Sequence, residues 1–128
     1  GPLRTSFYIR YEDWGNEDKK INESRVISLD YGSNLSKIEV TLSGTEDLWA
    51  GLTLHEKDGI VVGNDEDYWL SYWQPHGNSD LGTAIVTTSD HYLGFENYVT
   101  EEIDLSNAYL NMKIIENKAT YYTGFSWL

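Results

Sequence analysis

Residues 48–55, Leu-Trp-Ala-Gly-Leu-Thr-Leu-His, divide cleanly into two sets at a period of two. Leu48, Ala50, Leu52 and Leu54 make one row, and Trp49, Gly51, Thr53 and His55 make the other. Successive side chains of a strand point to opposite faces of the sheet, so the aliphatic row belongs to a core and Trp49 is directed away from it. A large flat ring on the less apolar face of a sheet requires either a covering segment or a ligand.

The same period recurs along the chain. Phe7, Ile9 and Tyr11 alternate with polar or amphipathic neighbours, and a charged loop follows from Trp14 to Lys20. Val26, Ile27 and Leu29 mark a second strand, and Ile38, Val40 and Leu42 alternate with Lys37, Glu39 and Thr41 in a third. Lys57-Asp58-Gly59 contains an Asp-Gly pair of the kind that closes tight hairpins, which predicts residues 48–55 antiparallel to Ile60-Val61-Val62. Tyr68 to Trp73 and Ala84 to Thr87 read as strands, with Gln74 to Gly82 as a long loop between them. Residues 89–97 are ambiguous, and Tyr98-Val99 and Ile103-Leu105 are short strands or the flanks of a turn. Leu110 to Ile114 and Tyr121 to Trp127 read as a closing pair around Glu116-Asn117-Lys118.

No sustained apolar stripe at 3.6 residues is present, and no internal repeat occurs. The expected fold is all-β: a single-domain antiparallel β-sandwich or jelly roll of about nine short strands. Gly1-Pro2-Leu3 has the form of a protease scar, so residues 1–5 are expected to be a remnant and flexible N-terminus, and 6–128 the sandwich. At 128 residues the chain is long enough for one self-sufficient core.

Twenty-one acidic against nine basic residues leave a net charge of −12. That field repels nucleic-acid phosphates and anionic membranes. A hydrophobic fraction of 40% nevertheless requires a folded object rather than an acidic disordered tail. No apolar run approaches the ~20 residues of a membrane helix, so membrane insertion is not expected. With no cysteine, thiol catalysis and thiolate metal sites are excluded, and the composition tilts toward an extracellular or cell-surface setting.

The strongest candidate site is aromatic. In the run 68–73, Tyr68, Leu70 and Tyr72 share one side, and Trp69, Ser71 and Trp73 the other. Indoles four residues apart lie about 13 Å from one another on an ideal strand, a span suited to two or three sugar rings. Trp49, Trp69 and Trp73 are therefore the candidate stacking surfaces, with Gln74, His76 and Asn78 as hydrogen-bonding partners for hydroxyl groups. The competing explanation is that the tryptophans fill a two-sheet core.

Asp65 and Asp67, in the turn Asn64-Asp65-Glu66-Asp67, offer oxygen ligands suited to a structural calcium, with Asp80, Asp90 or Asp104 to complete the shell; a solvated acidic hairpin is the simpler account. His55, His76 and His91 have no metal-ligand spacing. Acidic residues beside turns, such as Glu56, Asp58, Glu96 and Glu116, carry no discriminating signal for glycoside hydrolysis, and neither a nucleophile elbow nor a phosphate loop is present. The sequons at Asn22 and Asn34 arise often by chance.

The residues thus point to a non-catalytic extracellular module that binds a polysaccharide or glycan, as a monomer or as part of a larger multidomain chain, with no cofactor beyond a structural calcium. The alternative is an acidic protein-interaction domain (an inhibitor, an immunity protein or part of a surface assembly) that recognises a basic partner and uses exposed aromatics as anchors.

Overall fold

The computed structural model describes residues 3–102 and 105–127. Ten strands run in order: β1 Arg4–Gly15, β2 Lys20–Asp30, β3 Leu35–Ser43, β4 Asp47–Thr53, β5 Ile60–Asn64, β6 Trp69–His76, β7 Ser79–Thr87, β8 Tyr92–Tyr98, β9 Asn107–Lys113 and β10 Lys118–Trp127. They form two antiparallel sheets, one of seven strands in the order β1-β2-β3-β10-β7-β6-β5 and one of three in the order β4-β9-β8. The architecture is an antiparallel β-sandwich, as the alternation predicts.

Alternation assigns the faces. Ile38, Val40 and Leu42 of β3, Leu70 and Tyr72 of β6, Ile85 of β7 and Tyr121 of β10 line the inner face of the large sheet. Ala50 and Leu52 of β4, Leu54 just beyond it, and Ala108, Leu110 and Met112 of β9 face them from the small sheet. These rows remove apolar surface from water on both sides of one layer, the main favourable term for a sandwich of this size. Ser106, fully buried, is tied to Thr100: its hydroxyl accepts from the Thr100 amide at 2.9 Å and donates to the Thr100 carbonyl at 3.2 Å.

Four expectations are corrected. β4 and β5 do not form a hairpin, because β4 pairs only with β9 and β5 only with β6 among the described residues, so the chain crosses between sheets over residues 54–59. Gly59 has no positive φ; it is required because a Cβ there would lie 2.2 Å from the Trp73 carbonyl oxygen and 2.5 Å from the Tyr72 ring, whose hydroxyl accepts from the Gly59 amide. The span 74–82 is not a long loop: β6 and β7 pair as far as His76 and Ser79, and only Gly77 and Asn78 turn the chain, with Gly77 at φ 65°. The 115–118 turn forms, with Glu116 and Asn117 both at positive φ, yet β9 and β10 then diverge into different sheets. At the N-terminus, β1 begins at Arg4, which donates to Asp30 on β2, so residues 4 and 5 are ordered strand rather than flexible tail. Residues 103, 104 and hence Asp104 lie outside the described residues.

Candidate functional site

Because Leu70 and Tyr72 are buried in the core, Trp69, Ser71 and Trp73 of β6 stand on the outer face of the large sheet, as the period predicts. Strand register extends each of them into a row. Ser71 continues through Ala84 and Gly124 to Leu35, and Trp73 through Gly82 to Ser126. Trp69 continues through Val86 to Tyr122. A row of Ser, Ala and Gly between two rows that begin with tryptophan leaves a trough that crosses the strands. The trough is a groove of about 500 Å³, lined among others by Trp69, Ser71, Trp73, Gly82, Ala84 and Gly124.

Two glycines set its shape. A Cβ on Gly82 would lie 2.6 Å from the indole of Trp73, so the ring lies over the glycine as one wall of the groove. A Cβ on Gly124 would lie 1.9 Å from the Asn34 carbonyl oxygen, so the chain at Asn34 and Leu35 closes over β10 and ends the groove on the far side. Small residues at alternate positions of a strand are the sequence signal for such a floor: Gly82 and Ala84 on β7 show it, and Gly124 completes it.

The other candidates lie elsewhere. Trp49 points outward from β4, on the opposite side of the sandwich, where its indole N–H donates to Asp47 at 3.0 Å and its ring meets Tyr109 edge-on at 6.0 Å. Gln74 follows Tyr72 onto the inner side and is only 8% exposed, and its Oε1 has no hydrogen-bond partner. His76 packs against the Trp127 ring at 5.2 Å, and Asn78 is exposed in the β6–β7 turn. The structure therefore brings Trp69 and Trp73 into one groove and separates Trp49, Gln74, His76 and Asn78 from it.

The acidic turn is organised by its own side chains. Asn64 Oδ1 accepts from the amides of Glu66 at 2.8 Å and Asp67 at 2.9 Å, and Asn64 Nδ2 donates to Asp67 at 3.2 Å. Asp65 accepts from the Tyr92 hydroxyl at 2.6 Å, tying the turn to β8. Burial, and then this bond to a carboxylate, hold the Tyr92 hydroxyl well above the ordinary tyrosine range. Among the described residues no group of three or more His, Asp or Glu is placed to hold a metal ion.

The chain matches, over residues 1–128, a family described as a domain of unknown function, DUF4861. It belongs to the DUF4861 family. A relative called uncharacterized protein P7, from Formosa agariphila, is 44% identical over 128 residues, covering 99% of this chain and 32% of its own length. This DUF4861 chain thus spans about a third of the curated relative it matches. No solved structure matches it.

Proposed function

We propose that this DUF4861 chain is a non-catalytic carbohydrate-binding module, acting outside the cell, whose site is the groove on the outer face of the large sheet. One observation carries the reading: two half-buried indoles, Trp69 and Trp73, border a floor of small residues on the outer face of the large sheet. Apolar sugar faces stack on indole rings, and the narrow side chains of Ser71, Ala84 and Gly124 leave depth for a pyranose between them. Ser71, Ser126 and the backbone at Asn34 supply hydrogen-bonding groups around that space. The trough crosses β6, β7 and β10 before Asn34 and Leu35 end it, a length greater than one sugar ring.

Intrinsic tryptophan fluorescence tests this reading. Titration with a panel of soluble polysaccharides should quench or shift the emission of the wild type and of Trp49→Ala, and the response should be lost in Trp69→Ala and Trp73→Ala. It should persist from low to 1 M salt, since stacking does not depend on long-range charge. Absence of any response across the panel overturns the reading. A response that vanishes with salt would instead favour an acidic domain steering a basic protein.

A further inference from the structure

The two sheets do not match in width, and the excess lies along the β1–β2 edge of the large sheet. Over the far edge of the large sheet, the small sheet is well seated. Phe95 of β8 fills the space above Gly63 of β5, Tyr92 of β8 reaches Asp65 beyond β5, and β4 packs against β7. The small sheet ends at β4, and the inner face of β1 and β2 continues past it.

Register shows which side chains are left there. Phe7 pairs with Ile27, and Ile27 with the core residue Ile38, so all three face inward. Phe7 is nevertheless 53% exposed, and on the same face Leu29 is 43% and Trp14 44% exposed. Tyr11 stands among them, stacked near the Arg25 guanidinium, which is itself paired with the buried Glu23. β4, which packs against β7, has only β9 as a strand partner among the described residues, so its other edge presents backbone donors and acceptors. An open strand edge in one sheet and an uncovered apolar face on the other mark where a sandwich is interrupted.

We propose that this edge seats β structure from the same, longer polypeptide: strands from the part corresponding to the other two thirds of the Formosa agariphila relative extend the small sheet from the free edge of β4 and cover Phe7, Trp14 and Leu29. That relative is about three times the length of the matched region, so its chain contains ample material to complete the small sheet. A second copy of this chain is disfavoured as occupant, because two surfaces from bodies of net charge −12 would be brought together. The seat lies on the opposite face of the large sheet from the tryptophan groove, so the inference stands independently of sugar binding.

The absence of cysteine makes a direct test available. Leu29→Cys on the inner face and Tyr8→Cys on the outer face are labelled with a maleimide in two settings. One is the 128-residue chain, and the other is a chimera in which it replaces the matched third of the relative, whose own cysteines are changed to serine. Labelling of Leu29→Cys should slow at least tenfold in the chimera while Tyr8→Cys is unchanged, and amide exchange across Asp47–Thr53 of the unsubstituted chain should slow with it. Equal labelling of Leu29→Cys in both settings overturns the proposal, as does protection of Leu29→Cys in the isolated chain that grows with its concentration.

Discussion

Trp73 and Gly82 are direct cross-strand partners, and the indole occupies the space where a side chain on residue 82 would stand. The glycine is thus the reason that the ring lies along the sheet as a groove wall. Gly82→Val forces the indole outward, and such overpacking costs about 1–3 kcal/mol. Urea unfolding followed by tryptophan emission should show an earlier midpoint and a red-shifted native spectrum; wild-type values for both would refute the arrangement.

Gly63 and Phe95 join the two sheets in the same manner, since a Cβ on Gly63 would stand 2.3 Å from the Phe95 ring. Gly63→Ala should cost about 1–3 kcal/mol in the wild type and under about 0.5 kcal/mol in a Phe95→Ala background. A double-mutant cycle with no coupling would mean that the ring does not sit over β5.

Leu110, at the centre of β9, is fully buried, whereas Trp49 is 43% exposed on the outer face of β4. Leu110→Ala leaves a cavity between the sheets and should cost about 2–5 kcal/mol. Trp49→Ala loses an exposed edge-on contact with Tyr109 and should cost no more than about 1.5 kcal/mol. Denaturation midpoints of the two variants would reverse in order if alternation had assigned these faces wrongly.

The Tyr92 hydroxyl donates to Asp65, and its titration is raised above the ordinary value of 10.0, first by burial and then by that bond. A group whose pKa is higher in the folded than in the unfolded state contributes stability below its unfolded pKa and loses it as pH rises beyond. The contribution should therefore be complete at pH 8 and decline above about pH 10. Tyr92→Phe should be less stable than wild type at pH 8 by about 1 kcal/mol, and the gap should narrow at pH 10.5. A gap that is constant with pH in urea titrations would exclude the linkage.

Glu116 and Asn117 both hold positive φ in the turn between Ile115 and Lys118. Positive φ is costly for glutamate, and Asn-Gly is the preferred pair for such turns. The double substitution Glu116→Asn, Asn117→Gly should raise stability by about 1 kcal/mol, measured by thermal unfolding; a decrease would show that the turn is held by side-chain contacts rather than by backbone preference.

Much of the candidate site could be read from residues 68–73 alone, because the alternation that buries Leu70 and Tyr72 necessarily turns Trp69 and Trp73 outward. The groove itself could not. Its floor comes from Ala84 and Gly124, which are forty residues apart in sequence and adjacent only because β10 inserts between β3 and β7. Gln74 lies apart from the groove for a related reason: only the pairing of β6 with β7 as far as His76 places it on the inward side shared by Tyr72.

What the sequence determined by itself is the facing of each strand and the class of the fold, since side-chain direction at a period of two follows from local backbone geometry and needs no partner. Which strands pair was decided only in three dimensions. The apolar row of β4 is compatible with either sheet, and Asp58-Gly59 suggests a hairpin; the chain instead crosses over, because the buried rows of β4 and β9 complement each other across their whole length and β5 completes the edge beside β6. Such choices depend on packing among segments distant in sequence, and no local pattern encodes them.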